Sequence, residues 1–354
     1  MRQVVPQVLK ATQFLLRWRG EQKNSGAGGQ GHGLIAGKVA DPDDPFHQYM
    51  LNAYAYLGIS RASEMLREAD PDQSRMLARE AEAWNRDIRA SLMESIARAP
   101  VVPLGDGRWS PTVPPWAEAI GPRALHVAPG PFFSHGTVTV PDVLLGPLSL
   151  VFCEVLAPGE DVSTMMLEYQ SELFLERNAA FSQPYYSRHD WLQLTRGMVK
   201  PFLKSYFNMV SALADRDTYT FWEHAYQVSA HKTHEQAWFL METRWMLYLE
   251  EGDTLKLLSG IPRSWMEDGK QIVLEDVRSY FGPLSLQVIS RAKAGYVEAT
   301  ISCDSPGKPH SILIRLPHPA GKKASSVTGG TYEPGSESVL INDFTGRGNV
   351  RVEY

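Results

Sequence analysis

The sequence predicts an α+β protein in which a helical domain precedes a smaller antiparallel β-sandwich domain. Through the first 250 residues or so, apolar residues recur every three or four positions, which is typical of amphipathic helices. After Gly252 the pattern changes to short β-branched segments that Gly, Pro and Asn separate. We therefore expect the helical domain at 1–267 and the β-domain at 268–354.

Each predicted helix, loop and strand follows from the local pattern of apolar residues and turn residues. Helices are predicted at 3–19, 45–69, 71–99, 142–157, 162–178, 189–214 and 235–250. The last of these is apolar around nearly its whole circumference, which predicts a helix buried on all sides. A Gly-rich loop is expected at 25–33 and a structured Pro- and Gly-rich insertion at 100–141. Strands are predicted at 271–276, 284–290, 296–302, 311–316 and 338–342.

Composition narrows the classes of function. The chain has 35 basic and 40 acidic residues and no basic run, so nucleic acid is not an expected partner. No segment reaches the ~18 to 20 consecutive apolar residues that span a bilayer, so no membrane is expected. No signal-peptide core follows Met1, so the sequence does not predict a localisation, and a periplasmic or secreted full-length form stays open. Cys153 and Cys303 are expected to be small buried side chains.

The content of Trp and Tyr is compatible with sugar binding. The 9 Trp and 14 Tyr residues offer ring faces that can stack on the C–H faces of a sugar. Such rings are compatible with a carbohydrate substrate, the partner that the resemblance below implies, although most of them will belong to the core.

A resemblance to a known family rests on residues 243–290. An apolar helix is followed by EGDTL at 251–255, LLSGIPRSW at 257–265, DGK at 268–270 and YFGP at 280–283. This order resembles the exit from the last helices of the six-hairpin glycosidases, the (α/α)6-toroid superfamily, into their trailing β-domain. Segments 181–191 (FSQPYYSRHDW) and 219–224 (YTFWEH) look like loops of the same superfamily.

The resemblance covers about two-thirds of the chain and implies a glycoside hydrolase whose catalytic groups lie at one mouth of a helical toroid. Such a toroid has twelve helices, whereas the pattern predicts seven or eight. Two explanations stay open, an incomplete barrel and a chain that begins in its middle by truncation or a split gene. A missing amino-terminal part or a homo-oligomer would then complete the assembly.

Glycoside hydrolysis needs a carboxylic acid to protonate the leaving oxygen and a carboxylate to act on water or on the anomeric carbon. Glu223 is the first candidate because aromatic residues surround it in sequence. Their burial of the carboxyl would raise its pKa, which suits a general acid. The alternative is a structural Glu that pairs with Arg216 or Arg244.

Two aspartates are candidates for the base. Asp190 lies among aromatic residues at a predicted helix start, where Asp is also a favoured N-cap. Asp44 belongs to the segment DPDDPFH at 41–47, with His47 beside it. That segment could bind sugar hydroxyls, supply a base or hold Ca²⁺, and its simpler explanation is a solvated helix start.

Further residues are predicted to bind substrate. They are His47, Tyr185, Tyr186, His189, Trp191, Trp222, His224, His231 and His234. His231 and His234 could share a helix face, as zinc ligands do, but no Cys is near and the zinc-protease motif is absent. No metal and no cofactor are expected.

The resulting hypothesis is an inverting glycoside hydrolase that acts on a plant or microbial oligo- or polysaccharide. One alternative is a polysaccharide lyase with Tyr185, Tyr186 or His189 as base. The other is a glycan-binding fragment without catalysis.

Overall fold

The computed structural model describes residues 4–24, 29–37, 46–119, 147–172, 187–223 and 230–354. Within these residues the mixed α and β class is confirmed, since eight α-helices occur together with antiparallel sheets. The helices are α1 Val5–Asn24, α2 Tyr49–Leu66, α3 Pro71–Arg98, α4 Ser149–Phe152, α5 Asp161–Ser171, α6 His189–Thr195, α7 Val199–Leu213 and α8 Thr233–Leu247.

Helix α3 shows how local sequence sets an element. The Asp70 side chain accepts a hydrogen bond from the Gln73 amide at 3.1 Å, and Pro71 occupies the first turn. The helix ends at Arg98, and Pro100 follows its C-cap residue, Ala99. Its predicted apolar stripe is buried, with Leu77, Trp84, Ile88 and Leu92 fully inside.

Three predicted helices differ from the structure. Segment 189–214 is two helices, because Gly197 adopts a left-handed φ of 69° between them. In the described part of 142–157, the helix is limited to Ser149–Phe152 and is followed by Glu154 at φ 64°. The prediction that 235–250 is buried on all sides is wrong, since the Leu240 side chain is 66% exposed.

Asn52 ties α2 to its surroundings. Its Oδ1 accepts hydrogen bonds from the Ile35 amide (2.9 Å) and from Trp84 Nε1 (3.0 Å). Its Nδ2 donates to the carbonyl oxygens of Ile35 (3.0 Å) and Gln48 (2.8 Å). Because Asn52 is fully buried, its four hydrogen bonds satisfy groups that water cannot reach.

Asn52→Ala is therefore expected to destabilise the protein by about 4 kcal/mol, because it leaves several buried donors and acceptors without partners at ~1 to 3 kcal/mol each. The measurement is the free energy of unfolding in urea. The exposed Gln13→Ala is the control and should change it by less than about 0.5 kcal/mol. A loss below about 1 kcal/mol for Asn52→Ala would contradict the importance of this network.

Two five-stranded sheets form the carboxy-terminal part. The described strands are β1 Val101–Pro103, β2 Trp109–Pro111, β3 Ala214–Asp215, β4 Thr220–Phe221, β5 Tyr248–Glu251, β6 Thr254–Leu257, β7 Gln271–Ser279, β8 Gly282–Arg291, β9 Tyr296–Ser302, β10 Ser311–Arg315, β11 Ser326–Thr328, β12 Thr331–Glu333, β13 Ser338–Ile341 and β14 Arg347–Glu353. One sheet has the order β12-β13-β10-β6-β5 and the other β11-β14-β9-β8-β7.

The second sheet is antiparallel throughout, whereas the first contains the parallel pair β6–β10. Strand β8 buries every second side chain through most of its length, as expected of a sheet with one face on a core. Because β5 begins at Tyr248, the strands start ahead of the boundary predicted at 268.

The chain divides into two compact units. One comprises Met1–Leu192 and Asn208–Glu235, and the other comprises Gln193–Phe207 and Gln236–Tyr354, which includes both five-stranded sheets. In the part of the chain that the structure describes, no helix has the length and apolar character to cross a membrane.

Candidate functional site

The candidate site lies where the short β3–β4 hairpin meets the start of α8. The Trp222 amide donates to the Leu213 carbonyl at 2.8 Å, and the Lys232 amide donates to the Phe221 carbonyl at 2.9 Å. His231 turns the chain with a left-handed φ of 60° just before the helix. These contacts bring residues 222–223 beside residues 231–235.

Glu223 forms a salt bridge in this position. Its Oε2 lies 2.7 Å from Lys232 Nζ, and the two side chains are 15% and 29% exposed. A neighbouring ammonium stabilises a carboxylate in its ionised form. The sequence suggests Arg244 as a structural partner of Glu223, but Arg244 binds Glu250 at 2.6 and 2.9 Å, and both of these residues belong to the unit that contains Gln236–Tyr354.

Glu235 lies in the first turn of α8 and is 1% exposed. His234 Nδ1 lies 2.9 Å from Oε2, and no other side chain in the described part of the chain donates to the carboxyl group with good geometry. Burial raises the pKa of Glu235 to about 8, and the charge of Glu223 adds to this. The backbone amide of Glu235 and the charge of Lys232 oppose the shift. Glu235 is therefore a protonated acid at neutral pH.

His234 lies between the two carboxyl groups in sequence and is 26% exposed. Burial lowers its pKa, and the positive charges of Lys232 and Arg188 lower it further, while Glu223 acts in the opposite direction. The imidazole is therefore neutral at pH 7. We call Glu223, Lys232, His234 and Glu235 the α8 cluster.

Of the other predicted residues of the α6 region, Asp190 and His189 are buried, whereas Trp191 is half-buried. Asp190 and His189 are 0% and 1% exposed, and the His189 ring contacts Ser187 Oγ. Burial lowers the pKa of His189. Trp191 packs edge-on against Phe152, with ring centroids 5.2 Å apart. The roles predicted for these three residues stay predictions.

His47 is held by Glu118. The His47 amide donates to both carboxylate oxygens at 3.2 and 3.3 Å, and its Nδ1 contacts Oε1. This arrangement orients the imidazole and leaves Nε2 as its other polar atom. The partner that sequence analysis offered, Asp44, lies outside the described residues.

The remaining residues predicted to bind substrate fall into two groups, those outside and those within the described part of the chain. Tyr185, Tyr186 and His224 also lie outside the described residues. Trp222 is half-buried and His231 is exposed, and both lie next to the α8 cluster in the chain.

Sequence analysis missed Lys232 and Glu235. A signal for Glu235 was present, because helical spacing places it in register with Trp238, Glu242 and Trp245, all of which are buried. No comparable signal marks Lys232, because its pairing depends on the hairpin that brings it to Glu223.

A separate open depression of about 560 Å³ lies at one end of the carboxy-terminal sheets. Its rim includes the exposed side chains of Asp253, Lys308, His310 and Asp343. None of these side chains is sequestered from water, so the depression lacks the unusual environments that distinguish the α8 cluster.

Among the described residues, no group of three or more His, Cys, Asp or Glu side chains could hold a metal ion. No family model matches the chain, and no curated protein matches it.

Proposed function

We propose that the protein is a glycoside hydrolase and that the α8 cluster supplies its two carboxyl groups. One observation carries the proposal: Glu223 is 15% exposed and ion-paired with Lys232, whereas Glu235 is 1% exposed and its pKa is raised to about 8. Two carboxyl groups whose surroundings separate their pKa values are what acid–base hydrolysis of a glycosidic bond requires.

The proposed substrate is a plant or microbial oligo- or polysaccharide, and the proposed outcome is inversion. The resemblance at 243–290 supports a toroidal arrangement of the helices with a trailing β-sandwich, and we include that architecture in the proposal. The role of Glu223 changes from the expected one. Its salt bridge with Lys232 favours an ionised carboxylate, which suits the base better than the acid.

The test is Glu223→Gln. We expect release of reducing sugar to fall at least ~100-fold, because a neutral amide cannot take a proton from water. The measurement is a reducing-end assay on a panel of plant and microbial glycans. The exposed Glu68→Gln is the matched control and should keep full activity. Near-normal turnover by a folded Glu223→Gln protein would rule out this role.

The same assay separates the alternatives. A lyase would release unsaturated uronates that absorb in the ultraviolet, whereas a hydrolase would release none. A glycan-binding protein without catalysis would bind members of the panel and release no sugar.

A further inference from the structure

We propose that Glu235 is the proton donor to the glycosidic oxygen and that Glu223 is the base that activates water. This inference rests on the proposed hydrolase function. It assigns the role of general acid to Glu235, whereas the aromatic neighbours of Glu223 in the sequence had suggested Glu223 for that role.

The first argument is the isolation of Glu235. A carboxyl group that is 1% exposed and has only the His234 imidazole as a polar side-chain neighbour, 2.9 Å from Oε2, is costly to keep. Many residues would fill this position in the first turn of a helix at lower cost. The retention of an acid here is therefore explained if its Oε1 serves a bound ligand, and a glycosidic oxygen offers the matching acceptor.

The second argument is the distribution of charge. Two neighbouring carboxyl groups do not ionise together readily, because the first negative charge opposes the second. The ammonium of Lys232 lies 2.7 Å from Glu223 and holds the negative charge there. The proton that the pair retains is consequently on Glu235, which has no comparable cation at contact distance among the described residues.

His234 is assigned as a positioning residue. Its Nδ1 lies 2.9 Å from Glu235 Oε2, and its neutral imidazole can adjust to either protonation state of that carboxyl. Since the His234 side chain is 26% exposed and Glu235 is not, the imidazole also offers the carboxyl a route to solvent protons.

The chemical step balances with water as the only co-reactant. Glu235 gives its proton to the glycosidic oxygen, and the electron pair of the breaking C–O bond moves to that oxygen. Water adds to the anomeric carbon and gives its proton to Glu223. The products are two sugars with free hydroxyls, and one proton then returns to Glu235 while Glu223 releases one.

The experiment compares two leaving groups. Full-length wild type, Glu235→Gln and Glu223→Gln are assayed on the glycan that wild type hydrolyses best and on the glycosyl fluoride of the same sugar. Fluoride leaves without a proton, so loss of the donor affects it little. Glu235→Gln should lose at least ~100-fold on the glycan but stay within ~10-fold of wild type on the fluoride. Glu223→Gln should lose activity on both.

Each outcome decides the assignment. A folded Glu235→Gln with wild-type turnover on the glycan overturns it, and so does an equal loss on both substrates, which a merely structural residue would give. If that variant does not fold, the wild-type pH profile replaces it. Loss of kcat on the glycan above about pH 8, with no such loss on the fluoride, supports the donor role; parallel profiles overturn it. Wild type that cleaves neither substrate would instead remove the proposed function itself.

Discussion

Glu235→Gln is expected to stabilise the protein relative to wild type, by an amount that grows as the pH rises from about 4.5 to 8. The pKa of Glu235 is raised from 4.5 to about 8 in the folded state. Below pH 4.5 the carboxyl is protonated in both states and costs no stability through titration. Between the two values the unfolded chain releases a proton that the folded protein keeps, so stability falls as the pH rises.

The size of this effect follows from linkage. Each pH unit in that window costs about 1.4 kcal/mol, so the total is on the order of a few kcal/mol. Glutamine has no proton to release, and its shape is nearly the same. The measurement is the free energy of unfolding in urea at pH 5, 7 and 8.5 for wild type, Glu235→Gln and the exposed control Glu68→Gln. Parallel pH dependences of wild type and Glu235→Gln would contradict a raised pKa.

The second large effect is expected at Glu337, which joins two arginines in the carboxy-terminal unit. Its carboxylate contacts Arg263 Nη2 at 2.6 Å and Arg315 Nη2 at 3.1 Å. The same arginines donate to the carbonyl oxygens of His318 (2.8 Å) and Ile261 (3.0 Å). Arg315 is 7% exposed, and burial lowers its pKa, so its charge is held in the interior with this carboxylate as its counter-ion.

Glu337→Gln is therefore expected to lower the free energy of unfolding by about 3 kcal/mol, because it removes one partner of a buried ion pair. Glutamine retains the size of the side chain at a backbone position with φ 55°. The matched control is Glu298→Gln, whose ion pair with Arg351 is exposed and should contribute less than ~1 kcal/mol. Equal losses for the two variants, measured by urea unfolding, would show that burial of Arg315 does not matter.

Local pattern predicted much of the fold. The stripe that includes Leu77 and Trp84 defines α3, and alternation defines the strand at 296–302, because both signals are contained within a few residues. The strand at Tyr248–Glu251 was assigned to a helix, since a short apolar run fits either state. Its pairing with Thr254–Leu257 decides the outcome.

The candidate site was predicted only in part, for a similar reason. Aromatic neighbours in the sequence drew attention to Glu223, but its salt bridge is made with Lys232, which a backbone hydrogen bond to Phe221 brings beside it. Asp190 had equally aromatic neighbours and is fully buried. Sequence context identified residues in apolar surroundings, whereas tertiary contacts determine which of them meet solvent or a charge.

The central claim is that Glu235 keeps its proton at neutral pH beside an ionised Glu223. The most direct measurement is a ¹³C NMR titration of the side-chain carboxyl groups of glutamate-labelled protein, with the Glu235 signal assigned by its loss in Glu235→Gln. We predict a midpoint near pH 8 for this signal. A midpoint near 4.5, the ordinary value for Glu, would contradict the claim.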